Sequence, residues 1–203
     1  LVQGMKFYEK SGIDLLEINE SCPNTNHCRP QDDDMANRLK YIKEHFLDER
    51  SLDGRSRTVP VIVKFSNDTA LYEVRPFMDY LCELGFDGVN LGNTGKNYDK
   101  FKDKVVEDER KLFDYFTQTF GGGVSGEPLR SQSLMLCREA VRYLKAGPPW
   151  HEFQVIRTGG ISCAEDIKES DAVGVSLNQW FTGYFERFAE SGHGLYGLVY
   201  KSL

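Results

Sequence analysis

Five short apolar runs, each followed by polar or glycine-bearing residues and then by a helical pattern, constrain this chain more than any other feature. The runs span Asp14 to Asn19, Val59 to Phe65, Gly88 to Leu91, Phe153 to Thr158 and Ala172 to Leu177. They are rich in Val, Ile and Leu and lack clean alternation, as expected for parallel strands covered on both faces. Helices are expected over Met35 to Leu47, Leu71 to Leu84, Arg130 to Leu144 and Phe181 to Lys201. Leu71, Val74, Phe77, Met78, Leu81 and Leu84 recur at three- and four-residue intervals and line one apolar face. Repeated strand–helix units imply a parallel sheet with right-handed crossovers.

The chain has 203 residues, whereas a closed (β/α)8 barrel takes about 250. An open doubly wound sheet is the alternative. Polar and small residues after nearly every run suit a site built from many loops on one barrel face. No Gly-x-Gly-x-x-Gly follows the first run, which removes the usual mark of the doubly wound dinucleotide fold. The reading is therefore α/β, of the (β/α)8 TIM-barrel type, with about five βα units present and the N-terminal strands missing. Residues 1–203 form a single partial-barrel domain, and 96–126 is a long loop insertion within it. Such loops often serve as lids or ligand loops. The opening Leu1-Val2-Gln3-Gly4-Met5-Lys6-Phe7-Tyr8 reads as the middle of a helix, so the chain is expected to be a portion of a longer one.

A formal charge of −6 argues against a nucleic-acid surface, and no run approaches the roughly 20 apolar residues of a membrane span. Cys22, Cys28, Cys82, Cys137 and Cys163 are odd in number and irregularly spaced, with no secretory signal before them. A reducing, cytoplasmic setting is expected rather than a disulfide scaffold. Cys22, His27 and Cys28 lie close together, but no second ligand pair follows, so no metal site is expected.

Chemistry-bearing residues cluster at the ends of the runs. The first ends in Asn19 and a loop of Ser21, Cys22, Pro23 and Asn24. The second carries Lys64 inside an apolar stretch, where an unpartnered lysine is rare. It is either a snorkelling surface residue or a cation beside an anionic ligand or delocalised ring. The third runs into Asn90-Leu91-Gly92-Asn93-Thr94-Gly95, either a simple turn or carboxamides that hold a planar ligand. Gly121-Gly122-Gly123-Val124-Ser125-Gly126 precedes the helix at Arg130, and Gly159-Gly160-Ile161-Ser162 follows the fourth run. Glycine-rich loops at helix N-termini bind anions, and two of them late in a barrel match its usual phosphate position.

These motifs together resemble the dihydroorotate dehydrogenase family of FMN-dependent TIM barrels. The likeness rests on residues 19–25, Val63-Lys64, Asp87-Gly88-Val89 through Asn93-Thr94, residues 122–129 and residues 159–162, in family order. It covers nearly the whole chain but only about the second half of a family barrel. The resemblance implies FMN-dependent oxidation of dihydroorotate to orotate in pyrimidine biosynthesis. Cys22 takes the place of the proton-abstracting base, as in the soluble, cysteine-using branch, while hydride passes to FMN. Asn19, Asn24, Asn93 and Thr94 match substrate-binding positions, with Asn19 also at the flavin. Lys64 matches the lysine beside the flavin ring. Ser125, Gly126, Gly159 and Gly160 match the phosphate loops, and Asn178-Gln179 stand where a Tyr-Thr or Gly-Thr pair is common. Glu20, the loop at Asn26-His27-Cys28-Arg29 and Asn178-Gln179 depart from the family pattern. They leave room for a related flavoenzyme acting on another dihydropyrimidine or enone. A non-catalytic half-barrel that needs a partner is the third reading. A homodimer or a missing N-terminal half is the expected association, with no nucleic-acid or membrane partner.

Overall fold

β1 (Leu16–Asn19), β2 (Val61–Phe65), β3 (Gly88–Leu91), β4 (Gln154–Thr158) and β5 (Leu177–Gln179) form one sheet in that order, every neighbouring pair parallel. The computed structural model describes residues 1–21, 33–52, 57–147 and 149–203. The chain opens with α1 (Val2–Lys10). α2 (Asp33–His45) connects β1 to β2 and α3 (Leu71–Leu84) connects β2 to β3. α4 (Tyr98–Lys102), α5 (Arg110–Phe120) and α6 (Arg130–Ala146) lie between β3 and β4. α7 (Ala164–Val173) lies between β4 and β5, and α8 (Thr182–Ser191) and α9 (Leu195–Ser202) follow.

Strand order decides between the two architectures. A doubly wound sheet reverses direction once and carries helices on both faces. Here the order never reverses, and the helices gather on one face. Leu16, Ile18, Val61, Val63, Phe65, Val89, Leu91 and Val155 pack there against Leu39 and Ile42 of α2, Val74, Met78 and Leu81 of α3, and Leu136 and Ala140 of α6. Each such Val, Leu, Ile, Phe or Met side chain contributes about 1.5–3 kcal/mol by leaving water. The fold is thus a partial (β/α)8-type barrel of five strands. The opposite, concave face holds Glu17, Asn19, Lys64, Asn90, Thr158 and Gln179, which fall on it by the period-two pleat and the strand register.

Two expectations need correction. The fifth strand was expected over Ala172 to Leu177, but α7 runs through Val173 and the strand starts at Leu177. The apolar Ala172-Val173 pair belongs to the last helical turn, which Gly174 ends in a left-handed cap at φ 104°. The single helix expected from Phe181 to Lys201 is instead α8 and α9, because Gly192, at φ 54°, breaks it after Ser191. In the 96–126 segment, α4 and α5 are helical, and a bridge between Gly95 and Val124 closes its base. Among the described residues, no helix is long and apolar enough to cross a membrane.

Candidate active site

Five side chains from all five strands meet on the concave face. Lys64 Nζ donates to Glu17 Oε1 and to Gln179 Oε1, each at 3.0 Å. Asn90 Nδ2 donates to Glu17 Oε2 at 2.7 Å and to Gln179 Oε1 at 2.9 Å. Gln179 Nε2 donates to Glu17 Oε2 at 2.9 Å. The Thr158 hydroxyl reaches Asn90 Oδ1 at 2.9 Å and Gln179 Oε1 at 3.0 Å. Register produces this meeting: Lys64 pairs with Asn90 across β2 and β3, and Thr158 with Gln179 across β4 and β5.

A second group lies at the strand ends. Asn19 pairs in register with Lys64, and its Oδ1 accepts from the Ser21 hydroxyl at 2.9 Å and from Asn93 Nδ2 at 3.3 Å. Asn93 Nδ2 also donates to Ser21 Oγ at 2.8 Å. The carbonyl of Thr94 accepts from Ser66 Oγ at 2.9 Å, and its side chain abuts Gly123, where an added Cβ would lie 2.1 Å from Thr94 Oγ1. Fully buried Asn67 ties the loops together, donating to the carbonyls of Asn93 at 3.1 Å and Thr158 at 3.4 Å.

The glycine loops converge beside this group. The Ser125 hydroxyl lies 2.8 Å from that of Thr182, at the start of α8. Gly160, at φ 74°, sits so close to the start of α6 that a Cβ would lie 2.3 Å from the Arg130 Cα. Arg157 lies on the helix-covered face beneath these loops, fully buried. It donates to Ser133 Oγ, Ser170 Oγ and the carbonyls of Asp166 and Arg130 at 2.9–3.1 Å. Burial holds its guanidinium below the usual arginine range.

Asp166 caps α7. Burial pushes its carboxyl up, but the Ser162 amide, Cys163 and the Arg130 guanidinium outweigh that and hold it below the usual range. Arg130 lies 2.7 Å away. A carboxylate with a depressed folded pKa stabilises the fold above its unfolded value of about 3.9, and that stability is lost as pH falls through the folded value. Asp166→Asn is therefore expected to cost about 2 kcal/mol at neutral pH. The deficit relative to wild type should shrink below about pH 4. Urea melts at pH 7 and pH 3 check this, and a deficit independent of pH would contradict it.

Of the expected site residues, the structure brings together Asn19, Lys64, Asn93 and Gln179. It sets Thr94, Ser125, Gly126, Gly159 and Gly160 around the adjoining loops. Asn178 falls on the other face of β5, in register with Arg157, and does not join the cluster. Cys22 and Asn24 lie outside the described residues, as do His27 and Cys28. Among the described cysteines, burial pushes the Cys137 thiol up to about 12 and Cys82 up to about 11, so both stay protonated. Glu20 is nearly buried and pairs with Arg38 at 2.6 Å, which explains an acid just past β1. Sequence reasoning named Asn90 only within the carboxamide segment after the third run, and missed Glu17, Thr158 and Thr182. The available signal was parity: Glu17 stands two residues before Asn19 and so shares its face.

The donor set fits a flavin mononucleotide. Hydroxyls and main chain at the starts of α6 and α8 suit a phosphate, and an ammonium with carboxamides suits the polar edge of a planar ring. Glu17 is the departure, an acid placed among those donors.

The family model described as dihydroorotate dehydrogenase matches residues 3–190. A dihydroorotate dehydrogenase (quinone) of Nautilia profundicola is 28% identical over 194 residues, covering 96% of this chain and 45% of that protein. Its counterpart from Kocuria rhizophila is 31% identical over 175 residues, covering 84% of this chain and 43% of the relative. A crystal structure of ligand-free DHODH from Eimeria tenella superposes with a TM-score of 0.72 at 22% identity, covering 98% of this chain and 52% of that one. The chain thus spans about half the length of the relatives it matches. These names correct one expectation. Cys22 pointed to the soluble, cysteine-base branch, whereas eight curated relatives at 27–31% identity are named as quinone enzymes. Cys22 alone therefore does not mark the branch.

Proposed function

Because the chain belongs to the dihydroorotate dehydrogenase family, we propose that it forms one wall of a site for FMN-dependent oxidation of dihydroorotate to orotate. The observation that supports this best is the meeting of Lys64, Asn90, Thr158 and Gln179 on the concave face, continuous with the Asn19–Asn93 pair and the glycine loops. FMN, when bound, supplies the two-electron acceptor that the side chains lack. Ser125, Gly126, Gly159, Gly160 and Thr182 would hold its phosphate. Lys64 and Gln179 would face the polar edge of its ring, with Asn19 beside them. Asn19, Asn24, Asn93 and Thr94 orient the pyrimidine through carboxamide and hydroxyl hydrogen bonds, and Cys22 takes the proton from the substrate carbon. The names of the relatives favour a quinone as the final electron acceptor.

Anaerobic mixing of the FMN-loaded chain with dihydroorotate tests this reading. Bleaching of the visible flavin bands is the expected outcome. Bound flavin that dihydroorotate leaves oxidised, but another dihydropyrimidine or enone bleaches, would move the substrate to that compound.

A second reading has its own observation. β1 and β5 each pair on one side only among the described strands, and Leu177 on the β5 edge is 54% exposed. Unpaired edges favour association, so a wall supplied by a second polypeptide or a second copy would complete the seat. Sizing with and without FMN tests this, and a monomer that binds FMN tightly would remove the need for a partner.

A further inference from the structure

Glu17 is the acid among the donors of this face, and it lies outside the motifs that carry the family resemblance. Its Oε1 accepts from Lys64 at 3.0 Å, and its Oε2 accepts from Asn90 at 2.7 Å and Gln179 at 2.9 Å. Lys64 gives a second hydrogen to Gln179 Oε1 at 3.0 Å. Among the described residues two of the three ammonium donors are thus used, leaving one for a ligand. Asn90 Nδ2 has both hydrogens engaged, on Glu17 and Gln179. The side chains of Lys64 and Glu17 are 13% and 22% exposed, so water screens them poorly. Among the described residues the seat offers hydrogen-bond donors to a ligand while the Lys64–Glu17 pair sums to zero charge.

That balance bears on a flavin because two-electron reduction with uptake of one proton adds a negative charge to the ring. A lone ammonium beside the ring stabilises the reduced form over the oxidised one. An acid bonded to that ammonium cancels most of the preference. Resting on the FMN reading above, we propose that Glu17 is a positioning residue that neutralises Lys64 and holds the bound flavin at a lower reduction potential than the lysine alone would set. It acts through Lys64 and need not touch the ring.

The potential of the FMN-loaded chain, measured by stepwise dithionite reduction against a reference dye, tests the inference without turnover. Glu17→Gln removes the charge and keeps the shape. It is expected to raise the potential by a tenfold or larger change in the reduced-to-oxidised binding ratio, about 30 mV for a two-electron couple. Glu17→Asp keeps the charge and should stay close to wild type. A role confined to holding the strands together would lower the melting temperature and leave the potential alone, and that result overturns the inference. Where Glu17→Gln does not fold, Lys64→Gln is the second arm: it leaves the acid uncancelled and is expected to lower the potential tenfold or more, and an unchanged value again overturns the proposal. Flavin bound with no shift in either variant removes the role of Glu17 alone. Wild-type chain that takes up no flavin removes the FMN reading and this inference with it.

Discussion

Replacement of Arg157 by methionine is expected to destabilise the fold by about 3–5 kcal/mol, because it removes four hydrogen bonds of the buried guanidinium and its packing at once. The guanidinium is fully buried and joins α6 through Ser133 and the Arg130 carbonyl to α7 through Ser170 and the Asp166 carbonyl. Its acceptors are hydroxyls and carbonyls, so the loss is of hydrogen bonds and packing more than of ion pairing. For a chain of this size the melting temperature should fall by roughly 10 °C or more. Arg157→Lys keeps the charge but not the planar fork, and should recover only a minor part. The same change should loosen the glycine loops, since Ser133 also bonds the Gly159 carbonyl at 2.7 Å. A methionine variant within about 0.5 kcal/mol of wild type, the usual span of a neutral surface change, would show that this buried cation is dispensable.

Cys22→Ala is the second large effect. On the proposed role of Cys22 as the base, its removal slows proton abstraction by about 10²–10⁴-fold. Bleaching of bound FMN by dihydroorotate should fall by that factor while FMN stays bound. In the wild type the rate should climb with pH as the thiol ionises. Cys22→Ser should move that limb to higher pH. Undiminished bleaching in the alanine variant removes Cys22 from the mechanism and turns attention to Ser21, whose hydroxyl bonds Asn19 and Asn93 at the end of β1.

The central elements of the sheet were legible because their residues say strand in every register. Val61 to Phe65 and Gly88 to Leu91 are apolar runs bounded by turn formers, and both are strands. The fifth strand was misplaced because Ala172 and Val173 fit a strand as well as a helix, and only the left-handed cap at Gly174 settles which. The site divides the same way. Lys64 was visible because a lysine in an apolar run needs a reason. Asn178 and Gln179 were read as a pair, yet the pleat sends them to opposite faces. Glu17 sat unremarked within the first apolar run. Its meaning depends on Asn90 and Gln179, which lie 73 and 162 residues away and reach it only through the sheet.

Titration of the purified chain with FMN, followed by quenching of flavin fluorescence, is the most direct test that the concave face is a flavin seat. Saturation at one FMN per chain is expected, with at least tenfold weaker binding in Lys64→Met at an unchanged fold. No saturable binding, or equal binding by the two proteins, would contradict it.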